Sequence, residues 1–330
     1  MSLTIRDIAL LSGVSKSTVS RYLNGGSVSQ ATTQKIQQVI QQTGYESNLF
    51  ASSLKRKKTG MIGVMFKGIQ SVSVGHLLET IDYHLKVNQR HPLLMIENTL
   101  LKEADPANDL LALANQGVDG IIFGTDHLTT AHEQALQKID IPVIAVGQKS
   151  SFCAYRRFDN VQAGYIVGEY IQRLGHRRIA FIGPDNTDEE VGKARKEGVL
   201  SSFTKQDPLL DFSFIPAYYS FEAGYQAART LLQGQSTIAV CATDRIAMGV
   251  MQFLNERQIK IPDQISVIGF GNYEFSNVVY PPLSSLAFDY DTLAQQVVEE
   301  LLLLIDGHTI PVQEPIGMHL VSRKSVKQNV

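Results

Sequence analysis

Apolar residues in the first 45 positions recur at helical spacing, whereas from residue 61 onward they gather into short unbroken runs. In "TIRDIALL", residues 4–11, Ile5, Ile8, Ala9 and Leu11 predict one inward face. Thr4 with Asp7 three positions later has the spacing of a capping box, and Ser12-Gly13 predicts the end of that helix. Ser15 then starts a second helix running to about Asn24, where Gly25-Gly26 stops it. Ser29 starts a third, Gln30 to Thr43, with Ile36, Val39 and Ile40 facing inward and Gly44 as terminator. Three short helices predict an all-α head with a core of marginal size.

The rest of the chain follows another pattern. "MIGVMF", "LLMIE", "GIIFGT" and "PVIAVG" lie before residue 150, and "RIAFIG", "FSFIPA", "IAVCAT" and "ISVIGFG" lie after it. Apolar runs of this kind, alternating with amphipathic helical stretches, predict parallel strands buried on both faces. The body is therefore α/β, two similar doubly wound parallel-sheet halves, with a ligand cleft at the carboxyl ends of the strands. Between head and body, "YESNLFASSLKRKKTG" has no buried pattern and ends in a basic run. The expected division is a helical domain at 1–45, a linker at 46–60 and a ligand-binding domain at 61–330.

Charge changes the picture at one place. The 330 residues carry a formal net charge of −2, but residues 1–60 hold eight Lys and Arg against Asp7 and Glu46, a balance of +6. The remaining 270 residues carry −8. A basic head on an acidic body predicts a polyanion partner at the head alone. The first two helices and the Gly13 turn have the length of a helix-turn-helix, whose second helix enters the major groove. "GVSKSTVSRYLNG" offers Lys16, Ser17 and Arg21 to base edges, with Thr18 and Ser20 as small contacts. On pattern alone a solvated helix face competes with that reading; the charge split and the terminal position favour DNA.

Other chemistry is sparse. Cys153 and Cys241 are far apart in apolar surroundings, which predicts two buried thiols and a reducing compartment. No signal peptide and no run of about 18 apolar residues is visible, so the expected location is cytoplasmic. His127 and His132 are off one helical face, "GFGN" is no dinucleotide loop, and "HRR" at 176–178 reads as a solvated turn. No acid/base pair, nucleophile elbow, metal set or cofactor site is expected, so the chain reads as no enzyme.

The head stretch from "TIRDIALL" to "QQTGY" resembles the lactose/galactose repressor (LacI/GalR) family almost residue for residue. "SNLFASSL", "FDNVQAG", "LGHRRIAFIG", "CATDRIAMG", "IPDQISVIGFGN" and "YPPLSSLAFDYDTLA" resemble its landmarks in order. The resemblance implies a periplasmic-binding-protein-like (type I) body. Its halves would be about 61–158 plus 290–318, and about 159–289 plus 319–330. It implies a homodimer or higher oligomer on near-palindromic operator DNA, contacted by Thr4, Ser15, Lys16, Ser17, Thr18, Arg21, Asn24 and Ser29. In the hinge it implies Asn48, Ala51 and Leu54, the leucine prying open a minor-groove step, although Ser47 and Ser52 replace the usual proline and arginine.

For the cleft, the resemblance implies a sugar or sugar-phosphate effector held by Ser71, Ser73, Asn160, Lys193, Arg195, Phe221, Asp244, Asn272 and Phe288. Arg195 supplies a guanidinium fork for hydroxyls or phosphate, Asp244 is a hydroxyl acceptor or a helix N-cap, and Phe221 or Tyr219 packs on a pyranose face. Within the family, "QSVSVGHLLET", "VGKARKEG" and "CATDRIAMGVMQFLNER" look most like trehalose operon repressors, which respond to trehalose 6-phosphate. Gly68 stands where such repressors carry a phosphate-binding arginine. The function expected is a repressor of a carbohydrate-utilisation operon. The alternatives are a catabolite-type regulator with a phosphoprotein co-regulator and a sugar-binding transport protein.

Overall fold

The computed structural model describes residues 3–23, 26–45, 58–69, 71–97, 105–125, 127–204, 207–312 and 314–329. They fall into two compact units that meet in sequence at Thr59 and Gly60.

The first unit is helical. α1 (Ile5–Ser12) starts at Thr4, whose Oγ1 accepts the Asp7 N–H while the Asp7 carboxylate accepts the Thr4 N–H at 2.7 Å. Gly13 ends the helix with φ +67°, a left-handed conformation that glycine adopts without Cβ strain. α2 (Lys16–Leu23) is preceded by Ser15, whose Oγ accepts the Thr18 N–H at 3.1 Å. α3 (Gln30–Thr43) runs from the Ser29 cap to Gly44, again left-handed. Ile8, Ala9, Val19 and Ile36 form the buried centre, with Ile5, Val14, Tyr22, Leu23, Val39, Ile40 and Tyr45 packed around them. Leu11, expected on the inward face, is exposed, and Leu10 with it. The face is centred on Ile5, Ile8, Ala9 and Ser12, and at 3.6 residues per turn Leu11 falls roughly 100° away.

The second unit holds two sheets. The first has the order β2-β1-β3-β4-β5, all parallel: β1 (Met61–Lys67), β2 (His91–Glu97), β3 (Gly120–Gly124), β4 (Val143–Val146) and β5 (Ala154–Arg156). The second has the order β11-β10-β9-β8-β6-β7: β6 (Arg178–Gly183), β7 (Asp211–Pro216), β8 (Ile238–Cys241), β9 (Ser266–Gly271), β10 (Ser284–Phe288) and β11 (Met318–Val321). Its neighbours are parallel except β11, which runs antiparallel to β10. The eight apolar runs are eight of these strands. β5, β10 and β11 lack the signal: β5 has three residues, and β10 opens with the buried polar pair Ser284 and Ser285.

Helices connect the strands: α4 (Val72–Val87), α5 (Pro106–Ala114) and α6 (Thr130–Leu136) in the first half, then α7 (Asn160–Arg173), α8 (Arg195–Ser201), α9 (Phe221–Leu231), α10 (Asp244–Glu256) and α11 (Glu274–Val278). A π-helical turn, Glu189–Ala194, leads directly into α8. The last helix, α12 (Tyr290–Ile305), follows β10 but packs against α4 and the first sheet, before the chain returns to the second sheet as β11. The chain therefore crosses between the halves after β5, after β10 and before β11. The "HRR" segment is no solvated turn. His176 is buried between Thr237 Oγ1 (2.9 Å) and the Lys327 carbonyl (3.0 Å), and it ties the C-terminal segment to the second sheet.

Candidate functional site

Segments at the carboxyl ends of strands from both sheets line one cavity of about 590 Å³. From the first half come Lys67, which ends β1, and Gly68 after it, Ser71 and Ser73 at the start of α4, Gly124, which ends β3, and Gly147 and Gln148 after β4. From the second come Asn160, Asp188, Glu190, Arg195, Tyr218, Tyr219, Thr243, Arg245 and Tyr273. This is the carboxyl-end cleft that parallel sheets provide, within the size range of small-molecule sites.

Arg195 is the most fully fixed charged group on the wall. Its Nε donates to Asn160 Oδ1 at 2.8 Å and its Nη1 to the Ala242 carbonyl at 2.6 Å. The guanidinium lies 5.0 Å from the Phe270 ring centre and 4.8 Å from that of Phe288. A cation held over two aromatic rings is positioned without being neutralised, and the fork retains further N–H donors for a ligand. Asn160 in turn donates through Nδ2 to Glu190 Oε2 at 3.0 Å. Asp188 caps the π-helical turn, with Oδ1 accepting the Val191 and Gly192 N–H groups, and Tyr219 donates its hydroxyl to the second oxygen. A π-helical turn beside a cavity is a frequent mark of a functional site.

Hydroxyl groups from both halves complete the lining. Ser71 and Ser73 share a hydrogen bond of 2.7 Å at the N-terminus of α4, where Ser71 occupies the cap position without capping through its side chain. Burial pushes the Tyr273 and Tyr290 hydroxyls above the ordinary phenol range, so both remain protonated donors through neutral pH.

Of the residues the sequence singled out, Ser71, Ser73, Asn160, Arg195 and Tyr219 are brought together on the cavity wall. Lys193 is not among the lining residues and pairs with Glu189 at 2.9 Å on the outer side of the π-helical turn. Phe221 opens α9 beyond the lining segment Tyr218–Ser220. Phe288 stands behind Arg195. Asn272, left-handed at φ +52°, has its Oδ1 occupied by Arg323 Nη2 at 2.6 Å. Asp244 is fully buried, and the N-cap of α10 is Thr243 instead. Its carboxylate accepts from Ser276 and Ser285, each at 2.6 Å, and from the Tyr273 N–H at 3.3 Å. Gly269 makes the space, since a Cβ there would lie 2.1 Å from Asp244 Oδ1. Burial raises the Asp244 pKa, and these hydrogen bonds act against the rise. Asp188, Glu190, Tyr218, Tyr273, Tyr290 and Arg245 went unforeseen; the acidic run "DEE" ahead of Arg195 is the one local signal that pointed to any of them.

On the head, Ser17 and Arg21 point away from buried Val19, and Lys16 is exposed in the first turn of α2. Ser15 Oγ lies 2.7 Å from Ser17 Oγ and 2.8 Å from Thr18 Oγ1, a cluster of hydroxyls at the helix N-terminus. Thr4 and Ser29 cap α1 and α3. Asn24, Asn48, Ala51 and Leu54 lie outside the described residues. Among the described residues no helix is long and apolar enough to cross a membrane.

A helix-turn-helix head followed by a two-sheet ligand-binding body defines a transcriptional regulator. Residues 4–48 match the family of bacterial regulatory proteins, lacI family, and residues 169–326 match the periplasmic binding protein-like domain. The chain is 30% identical over 307 residues to the sucrose operon repressor of Staphylococcus xylosus, covering 93% of this chain and 95% of that one. It is 27% identical to the HTH-type transcriptional regulator TreR of Escherichia coli, covering 94% and 96%. The fold matches a crystal structure of the Lac repressor dimer bound to operator and the anti-inducer ONPF, with TM-score 0.90, 21% identity and coverage of 99% and 100%. The chain belongs to the LacI family of bacterial transcriptional regulators. It is a DNA-binding regulator and not an enzyme, and the matched head sets the transport-protein alternative aside.

Proposed function

We propose that this regulator represses a carbohydrate-utilisation operon as a homodimer on a near-palindromic operator, and that a sugar or sugar phosphate in the cavity controls its affinity for DNA. The observation that carries the reading is Arg195: a guanidinium held by Asn160 and Ala242 over two aromatic rings on the wall of a 590 Å³ cleft. A fork so held suits vicinal hydroxyls or a phosphate edge. Tyr218, Tyr219 and Tyr273 offer faces and hydroxyls of the kind a pyranose ring takes. The names of the sucrose and TreR relatives point to the same class of ligand.

Trehalose 6-phosphate is the specific effector we put forward. A dianion calls for paired cations, and Lys67, Arg195 and Arg245 all border the cavity. Asp188 and Glu190 on the same wall are engaged by Tyr219 and by Arg157 and Asn160. Lys193, turned to Glu189, has no part in this version of the site. Calorimetry with trehalose 6-phosphate, trehalose and sucrose tests it. The expected result is binding of the phosphate at least about tenfold tighter than trehalose, about 1.4 kcal/mol. Equal or tighter binding of a neutral disaccharide would replace the phosphate with that sugar.

In the head, Lys16, Ser17 and Arg21 are the base-edge contacts of this reading, and Asn48, Ala51 and Leu54 the hinge contacts. Two heads contacting phosphates make operator binding fall steeply with salt.

A further inference from the structure

We propose that Glu190 ties the ligand fork of Arg195 to the first crossover between the halves, so that cavity occupancy sets the angle between them. The inference rests on the reading of the cavity as the effector site, but its structural part stands on geometry alone.

Glu190 is 7% exposed and forms the second residue of the π-helical turn. Its Oε2 accepts twice, from Asn160 Nδ2 at 3.0 Å and from Arg157 Nη1 at 3.1 Å. Asn160 hands the link on, since its Oδ1 takes Arg195 Nε at 2.8 Å. An amide has one accepting end and one donating end. With Arg195 donating and Glu190 accepting, the orientation of Asn160 is fixed from both sides. The polar chain from the cavity thus runs Arg195, Asn160, Glu190, Arg157 without a gap.

Its far end lies where movement between the halves must be absorbed. Arg156 closes β5 in the first sheet, and Arg157 is the next residue on the way to α7. Arg156 Nε donates to Glu300 at 2.6 Å, and Glu300 is buried on α12 against the first half. Arg157 is paired to Glu190 in the second half. Two consecutive arginines are therefore anchored to opposite halves, and a change of angle must turn the backbone between their anchors. A second, aromatic route joins the same places. Phe288 under Arg195 packs at 4.6 Å from Phe158, next to Arg157, and Tyr290 packs at 5.3 Å from Phe158. The rings fill space between the first two crossovers, while the buried carboxylate supplies direction and charge. A ligand that takes the remaining N–H groups of Arg195 draws on the chain that holds the crossover. That is the differential contact a coupled site needs.

Two measurements test this on the full chain. The first is hydrogen exchange without any ligand, on wild type, Arg157→Gln, Glu190→Gln and the double variant, with Glu189→Gln as the exposed neighbour control. The expected result is exchange across 156–163 raised about tenfold in each single variant, with no further rise in the double. Arg157 is one-third exposed, so its variant serves if Glu190→Gln fails to fold. Unchanged exchange in both singles, additive effects, or an equal effect of Glu189→Gln would overturn the proposal. The second uses a duplex selected by the full chain from a randomised pool, titrated with and without trehalose 6-phosphate or sucrose. In Glu190→Gln the ligand-induced change in DNA affinity should shrink at least about fivefold relative to wild type. A full-size response in Glu190→Gln overturns the coupling. If wild type responds to neither compound, the effector reading falls, and the exchange result still decides the role of Glu190.

Discussion

The two walls of the cavity are built from different kinds of residue. The first-half wall presents glycines and short hydroxyl groups, Gly68, Gly124, Gly147, Ser71 and Ser73, with Lys67 and Gln148 as its long polar side chains. The second-half wall presents Arg195, Asn160, Glu190 and Asp188, each held by neighbours before any ligand arrives. Behind that wall stand Asp244 with its two serines and the Phe270–Phe288 pair. Fixed polar groups in a buried setting bind strongly because ordering them costs little at the moment of binding. The difference places most of the pre-fixed polar groups in the second half and leaves Lys67 as the one cation of the first-half lining.

The largest test of that division is Asp244→Ala. It strands the Ser276 and Ser285 hydroxyls in a buried space, and urea unfolding should show a loss of about 3 kcal/mol or more. A loss under 1 kcal/mol would mean that the second wall is not built on this carboxylate. Next is Arg195→Lys, which keeps the charge but loses the planar fork and its stacking; effector affinity should fall by about 1–3 kcal/mol in calorimetry. Tyr219→Phe removes one hydroxyl from Asp188 and should cost about 1 kcal/mol of stability. Ser73→Ala on the opposite wall should change stability by less than about 0.5 kcal/mol. If Ser73→Ala exceeds Tyr219→Phe, the contrast between the walls fails.

A pH series probes the second half by another route. Burial holds the His176 pKa below its ordinary value of 6.5, so the unfolded chain takes up a proton that the folded chain resists. Stability should therefore fall as pH drops below about 6.5, and His176→Gln should flatten that part of the curve.

What the sequence revealed divides along the same line. Local signals were legible: the Thr4–Asp7 capping box, the Gly13 and Gly44 stops, and the eight apolar strand runs. So were Ser71 and Ser73, which sit one short loop after a strand, and Arg195 and Asn160, placed by family landmarks. The groups that escaped are those defined by partners far along the chain. Asp244 looks like a ligand residue or a cap until Ser276 and Ser285 are seen to occupy it, 32 and 41 residues later. Glu190 carried no signal of its own, because its partners Arg157 and Asn160 lie 33 and 30 residues before it. Ser284 and Ser285 hid β10 because their hydroxyls serve buried hydrogen bonds, Ser285 to Asp244 on α10 and Ser284 from the Arg323 N–H just after β11. Sequence pattern reports burial and turns; it does not report which buried polar group has already been satisfied.

Control of DNA binding by cavity occupancy, as proposed, joins the two units of the chain in function. Fluorescence anisotropy of a selected operator duplex with the full wild-type chain, with and without trehalose 6-phosphate, tests it most directly. The expected outcome is tight, salt-sensitive binding whose Kd shifts by about tenfold or more when the sugar phosphate is added. Tight operator binding that neither trehalose 6-phosphate nor any neutral disaccharide alters would contradict it.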